Sequence, residues 1–470
     1  MPEQVEILKY YLYYKYFLRM KDRKSLKRRQ DKRIKRHLNY VAGHSRVYRG
    51  MRRLEDYPVV DKKFMMEHFH ELNTVGIGRK EAEEFAVKAE KERDFVPKLR
   101  GITVGLSSGT SGRRGIFLVS DKERIRWAGY ILAKFLPGRI WDKCSIAFFM
   151  RADSNLYQSV GSKRIQFHFF DIYEDFEEHR THLEEINPQV LVGQPSVLLG
   201  IAREMEERKL RIYPEVVISI AEVLEKRDEE RIKKVFGLKI IHQVYQCTEG
   251  CLAATCRCGT LHLNEDIVHI EREYLDGNRF IPVVTDFERR AQPIIRYRLN
   301  DILVEKKGRC GCGSPCIGLE KIEGREDDVF LFAGNDGTLK KVFPDFIRRC
   351  VLFAESGEEL ENQRRVKNAG EKGEPEKAGD SKNPGDLNKT VSDYRVVQET
   401  DGRIFVYCDL SEAGKQQVLK EFERLAQDRE FKLPDVVFKG YQFEKGKKMK
   451  RVERKYKQEK DGKEIQAAGK

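Results

Sequence analysis

Five cysteines and a histidine fall in two tight groups, "CRCGTLH" at residues 256–262 and "CGCGSPC" at residues 310–316. Cys256, Cys258 and His262 in the first group and Cys310, Cys312 and Cys316 in the second are soft donors. Glycines beside the thiolates let each loop fold round a tetrahedral Zn²⁺ at Zn–S distances of about 2.3 Å. An ion shared between the groups would staple two loops and contribute folding energy rather than chemistry. Spacing alone leaves open which four would ligate, and free or redox-idle cysteines are the bland alternative. Ten cysteines in a 470-residue chain read as metal ligands or free thiols, not as a disulfide framework.

A second stretch, "LSSGTSGRRG" at residues 106–115, has the makings of a phosphate cradle. Gly109 and Gly112 let the main chain curl so that successive N–H groups face an anion. Ser107, Ser108, Thr110 and Ser111 add hydroxyls, and Arg113 and Arg114 add charge suited to phosphate oxygens. It is not a P-loop, because no Gly-Lys-Ser/Thr follows at the required spacing. Alone, it would as readily be a linker.

Both stretches need a scaffold. Between Gly101 and about Tyr245, β-rich runs ("GITVG", "IFLVS", "SIAFFM", "IQFHFF", "QVLVG", "EVVISI", "LKIIHQVY") alternate with amphipathic helical ones ("DKERIRWAGYILAKF", "PSVLLGIAREMEERK", "EKRDEERIKKVF"). Pro195 suits a first helical turn and Asp121 an N-cap. The alternation predicts an α/β fold, a large N-terminal domain of mainly parallel sheet flanked by helices. Residues 355–393 are polar and nearly devoid of large apolar side chains, and read as a flexible insertion. Beyond it a hairpin turning at Asp401-Gly402, the helix "SEAGKQQVLKEFERLAQ" and the strand "DVVFKGYQF" predict a small α+β C-terminal domain. From Val5 to about Arg52 the pattern is helical with a basic middle. Apolar Leu26, Ile34 and Leu38 continue through it, so it reads as a solvated helix face rather than a nucleic-acid or membrane arm.

The chain carries 90 Lys and Arg against 76 Asp and Glu, a net charge of +14, with 40% hydrophobic residues. That balance fits a negatively charged small substrate, nucleic acid or anionic lipid. No run approaches the roughly 18 apolar residues of a membrane span, and the N-terminus lacks a signal-peptide pattern, so a cytoplasmic protein is expected.

The order of "LSSGTSGRRG", "VYQCTEG" (244–250), "IIRYRLND" (294–301), "IEGREDD" (322–328) and "KGKKMKRV" near the C-terminus resembles the adenylate-forming superfamily of acyl-CoA synthetases. The likeness is above all to the phenylacetate-CoA ligase branch and its relatives, the deazaflavin-adenylating synthetases and capsule-biosynthesis proteins. "GQPSVLLGIA", "VISIAEVLEKRDEERIKKVFG" and "LHLNED" extend the likeness over nearly the whole chain. It implies an adenylation domain at 1–323, a hinge at 324–328 and a lid domain at 329–470.

By that resemblance, Ser107, Ser108, Gly109, Thr110, Ser111, Gly112 and Arg113 would hold the pyrophosphate end of ATP, with Arg113 where relatives carry Lys. Thr248 would touch phosphate and Glu249 carry Mg²⁺. Tyr245 would border the adenine, next to Gln246 where relatives have Gly. Asp301 and Arg325 would hydrogen-bond the ribose, with Asn300 replacing a usual glycine beside the former. Asp327 matches the hinge position. Lys447 or Lys448 would bridge the acyl carboxylate and α-phosphate; Lys447 follows the glycine, whereas Lys448 has the better spacing to Arg451-Val452. Zinc would take Cys256, His262, Cys310 and Cys312, with Cys258 and Cys316 as alternates.

The implied activity is ATP-dependent formation of an acyl-adenylate, then transfer of the acyl group to a thiol, most simply coenzyme A. An amine or hydroxyl acceptor is the alternative, and a homodimer is plausible by family likeness. Phe117, Trp127 and the "AFFM" strand could line an aromatic acyl pocket; His168 reads as a core or pocket-wall residue. A zinc-stabilised nucleic-acid-binding protein is the distant rival, and it leaves the five ordered motifs unexplained.

Overall fold

The computed structural model describes residues 3–107, 114–153, 155–352, 393–442 and 448–456. Most of the 355–393 insertion therefore lies outside the described residues. The chain divides into two compact units, residues 1–322 and 323–470.

Helices of the first unit are α1 (Glu3–Leu12), α2 (Arg23–His44), α3 (Lys62–Glu67), α4 (Phe69–Leu72), α5 (Arg79–Glu92), α6 (Asp121–Phe135), α7 (Asn155–Gln158), α8 (Phe176–Ile186), α9 (Pro195–Glu206) and α10 (Lys226–Phe236). β1 (Ile102–Leu106) and β2 (Ile116–Ser120) form a separate antiparallel hairpin. The remaining strands are β3 (Cys144–Met150), β4 (Ile165–Asp171), β5 (Val190–Gly193), β6 (Val216–Ile220), β7 (His242–Cys247), β8 (Gly250–Thr255), β9 (Leu261–Leu263), β10 (Val268–Asp276), β11 (Arg279–Asp286), β12 (Ile294–Arg298), β13 (Asp301–Glu305) and β14 (Gly318–Arg325). They build one twelve-stranded sheet in the order β10-β11-β13-β14-β9-β8-β7-β6-β5-β3-β4, with β12 paired to β11.

The run β4-β3-β5-β6-β7 is parallel, and helices α8, α9 and α10 connect its strands in turn. Strands covered on both faces read as continuous apolar runs, and β5 is buried at all four positions. The period-2 alternation of β3 splits "AFFM" between two cores. Ile146 and Phe148 join α1 and α6 residues such as Tyr11 and Leu132, while Ala147 and Phe149 join Leu183, Leu198 and Ile232 of the crossover helices. Pro195 opens α9, where its missing N–H costs nothing. Gly237, at φ 67°, closes α10 in the left-handed region.

Three local expectations change. Ser120 caps α6, its N–H and hydroxyl both reaching Glu123 Oε2 at 2.6 and 2.7 Å. Asp121 is instead the first helical residue, paired with Lys98 at 2.7 Å. β7 starts at His242, because Leu238 to Ile241 stay irregular. The N-terminal helix is two helices separated by a π turn at Tyr13–Phe17, and α2 does bury Leu26, Ile34 and Leu38.

The second unit is α+β. It holds the hairpin β15 (Phe330–Ala333)–β16 (Leu339–Val342), helix α11 (Pro344–Leu352), β17 (Tyr394–Gln398), β18 (Ile404–Cys408), helix α12 (Glu412–Asp428), β19 (Val436–Lys439) and β20 (Val452–Arg454). A four-stranded sheet, β19-β18-β17-β20, packs Val396 and Val406 against Ile347 and Phe422 of the two helices. Its hairpin turns through Gly402 at φ 84°. No helix among the described residues is long and apolar enough to cross a membrane.

Candidate functional site

The parallel run ends at β7, and the turn Thr248–Glu249 reverses the chain into antiparallel β8. Carboxyl ends of parallel strands are where open α/β sheets expose loops for ligands. Thr248 Oγ1 donates to Glu249 Oε2 at 2.9 Å. Tyr245, one turn of the pleat earlier, donates its hydroxyl to Asp301 Oδ2 at 2.6 Å. Burial holds the Tyr245 phenol well above its ordinary range, and the Asp301 charge adds to this. Tyr297 is likewise held protonated by burial and by the Glu249 carboxylate, to which it hydrogen-bonds. Cys247 points at the carbonyl of Gly250 at 3.7 Å, and burial pushes its thiol up, so it is not a ready nucleophile.

The hairpin neck below the hydroxyl-rich loop is tied by Ser107. Its N–H donates to Gly115 O and its hydroxyl accepts from Gly115 N–H, both at 2.7 Å. Ser108, Gly109, Thr110, Ser111, Gly112 and Arg113 lie outside the described residues. Arg114, read from the sequence as charge for phosphate, forms a fork on Glu90 at 2.6 and 2.5 Å and donates to Ser107 O at 2.9 Å.

Sequence reading missed the segment that joins these two places. Arg289 donates Nη1–H to Thr248 O and Nη2–H to Leu118 O, each at 3.0 Å, bridging the Thr-Glu turn to β2. Gln292 supports it, accepting from Leu118 N–H at 3.0 Å and donating to Ile116 O at 3.1 Å. Asp286 sits behind the turn, so close that a Cβ on Gly250 would meet its Oδ2 at 2.9 Å. Burial raises the Asp286 carboxyl to about 7, against the pull of Arg289. No spacing rule in "FERRAQP" separates Arg289 from Arg290, which stacks over Tyr40 at 4.7 Å.

An apolar cavity of about 120 Å³ opens on the other face of β7. Trp127, Phe148, Tyr157, Phe167, Val192 and Gln246 are among its walls, and among the described residues no charged side chain lines it. The aromatic rings make edge and tilted contacts at 4.7 to 5.9 Å. Trp127 Nε1–H donates to Gln246 Oε1 at 3.1 Å. Met150 of "AFFM" also lines it, but Phe149 faces the opposite core. Phe117 lies elsewhere, covering Gly105 so closely that a Cβ there would fall within 2.3 Å of its ring. His168 meets His182 of α8 at 3.2 Å instead of lining the cavity.

The cysteine loops converge. Donor atoms of Cys256, His262, Cys310 and Cys312 lie within 4.8 Å of one another, the one such group among the described residues. Cys256 Sγ and Cys310 Sγ are 3.7 Å apart, and Cys312 Sγ is 3.4 Å from His262 Nε2. A tetrahedron with Zn–S of about 2.3 Å has S···S edges of about 3.8 Å, so the donor set fits zinc. His262 Nδ1 is 3.0 Å from the carbonyl of Cys316, which fixes Nε2 as the free donor. Cys316 thus contributes its backbone, with its thiol pushed up to about 12 by burial. Cys258 is exposed, outside the group, and donates its N–H to Cys256 Sγ at 3.4 Å.

In the second unit, Arg325 ends β14 and Asp327 lies in the turn Glu326–Asp328. Arg454 donates Nε–H to Asp327 O at 3.2 Å. Lys450 reaches the buried Asp328 carboxylate at 2.7 Å. Burial raises Asp328 to about 6, with Lys450 pulling the other way. Lys448 stands in the irregular stretch before β20; Lys447 lies outside the described residues.

No protein-family model matches the chain. It is 27% identical over 271 residues to the indoleacetate–lysine synthetase of Pseudomonas savastanoi, covering 53% of this chain and 63% of that protein. It is 26% identical over 164 residues to Protein CapK of Staphylococcus aureus, covering 34% and 36%. The chain thus matches less than two thirds of the length of either curated relative. Among solved structures, 2-hydroxyisobutyryl-CoA ligase in the postadenylation state, in complex with 2-HIB-AMP, is similar with a TM-score of 0.60 and 15% identity, covering 92% of this chain and 89% of that one.

Proposed function

From a chain that has the fold of the adenylate-forming ligases, we propose an enzyme that activates a carboxylic acid with ATP and passes the acyl group on. The carrying observation is the constellation at the end of β7. Thr248 and Glu249 share a turn that Arg289 clamps to the phosphate-loop hairpin, while Tyr245 positions Asp301 and Gln246 borders an apolar cavity. A carboxylate oxygen attacks the α-phosphorus, and the bond to pyrophosphate breaks; such a step rests on positioning and charge neutralisation. Thr248 and the loop from Ser107 to Arg113 hold phosphate oxygens, and Asp301 the ribose. Glu249 would hold Mg²⁺, which would supply positive charge for the departing phosphates. Arg325 and Lys448 keep the ribose and α-phosphate roles that the resemblance gives them, and Asp327 that of the hinge.

The acceptor then attacks the acyl carbon and AMP leaves. Coenzyme A is the first reading. An amine is the second, favoured by the likeness to an indoleacetate–lysine synthetase. An uncharged, aromatic-walled cavity supports an acid with an apolar, planar tail. Zinc held by Cys256, His262, Cys310 and Cys312 would pin the two loops together.

The test is ATP–pyrophosphate exchange with aryl, fatty and hydroxy acids, followed by product analysis with coenzyme A or lysine. Acid-dependent exchange is expected, falling at least about 100-fold in Glu249→Gln. A chain that binds no ATP would end this reading.

A further inference from the structure

Helix α2 is bound to the first unit by one face and presents the other to solvent. Leu26, Gln30, Ile34, Leu38 and Val41 are buried. Gln30 donates to the carbonyls of Glu265 and Val268 at 2.9 and 3.1 Å, and Arg33 pairs with Glu288. The helix is therefore fixed before any partner arrives. On the outer face, Lys24, Lys27, Arg28, Asp31, Lys32 and Lys35 recur at helical spacing and are all exposed. Asp31, the single acid of this stripe, is taken by Lys27 at 3.3 Å. The stripe runs about 16 Å at 1.5 Å per residue.

A second feature adjoins it. The π turn before α2 leaves Phe17 76% and Tyr16 43% exposed, between Lys15 and Arg19. Arg29 of α2 lies over the Tyr13 ring at 5.8 Å, which keeps this aromatic turn beside the basic helix. Exposed aromatics next to lysines are what the boundary between headgroups and acyl chains favours.

We propose that the outer face of α2, with Phe17 and Tyr16, docks the protein on an anionic lipid surface. Lysines on a convex helix offer point charges to a diffuse negative layer, and their pull falls off within a Debye length. Asn39 is the one exposed amide that continues this stripe, so the face is built of diffuse charge with little else to read bases. A surface of headgroups therefore suits it better than a nucleic acid. Docking places the enzyme where amphiphilic acids or acceptors concentrate, but it does not depend on the adenylation reading.

The test is co-sedimentation of the full chain with phosphatidylcholine vesicles, with and without phosphatidylglycerol, across a salt series. Binding is expected only with phosphatidylglycerol, weakening as salt rises. It should weaken about fivefold for each cation neutralised. The variant carrying Lys24→Glu, Arg28→Glu, Lys32→Glu and Lys35→Glu should lose binding, and Phe17→Ser should weaken it, both with an unchanged melting temperature. If the reversals disturb folding, the same four positions changed to Gln replace them. No binding at low salt, equal binding to neutral vesicles, full binding by the four-site variant, or tight binding to RNA with none to vesicles would each overturn the proposal.

Discussion

A single guanidinium holds the Thr248–Glu249 turn and β2 in register. Arg289 satisfies the carbonyls of Thr248 and Leu118 at once, and hydrogen bonds from a charged donor contribute roughly 1.5–3 kcal/mol each. Arg289→Ala should raise the KM for ATP about 10- to 100-fold, roughly the worth of one such bond. Arg289→Lys, which reaches one carbonyl, should recover part of it. A fall in melting temperature with an unchanged KM would show scaffolding alone. Asp286, raised to about 7 by burial, binds its proton in the folded state over a range where the unfolded chain has released it. Its contribution to stability is full below about pH 4 and is lost as pH rises toward 7, at up to about 1.4 kcal/mol per unit. In urea titrations over that range, the stability of wild type relative to Asp286→Asn should decline; a constant difference would refute the shift.

At the scale of elements, two loops far apart in the chain share one donor set, so a metal bound there would act as a covalent-like staple. Purified protein should carry one zinc per chain. Cys310→Ser should lose it and lower the melting temperature by about 2–4 °C for every kcal/mol forfeited. A metal-free wild type with the same melting temperature would remove the site. β3 and β7 each give alternate residues to the cavity, so filling it from β5 tests its use. Val192→Phe should raise the KM of an aryl acid about tenfold, the loss of roughly 1.4 kcal/mol of contact, and leave the KM for ATP alone. Unchanged aryl-acid kinetics would place the acid elsewhere.

For the molecule as a whole, each unit has its own core. Four buried clusters lie in residues 1–322, and a fifth, around Phe330, Val396, Val406 and Phe422, belongs to residues 323–470. A unit with its own core can unfold by itself. Residues 1–322 expressed alone should fold, keep zinc and bind ATP, yet fail in pyrophosphate exchange for want of Lys447 and Lys448. Full exchange by that fragment would remove both lysines from the chemistry.

The sequence by itself determined what local periodicity and covalent spacing encode. The strand–helix alternation from β3 to β7, Pro195 and the Asp401-Gly402 turn, the order of the five motifs and the donor pool of five cysteines and His262 were all legible because neighbours along the chain dictate them. The tertiary structure decided which of those donors meet, turning Cys316 into a carbonyl partner for His262 and leaving Cys258 outside. It assigned Arg114 to Glu90 and singled out Arg289, whose bond to Leu118 spans 171 positions. It also sent Phe148 to the cavity and Phe117 onto Gly105. Such choices depend on the free energy of burying and pairing groups that only the folded chain brings together, and no local pattern carries that information.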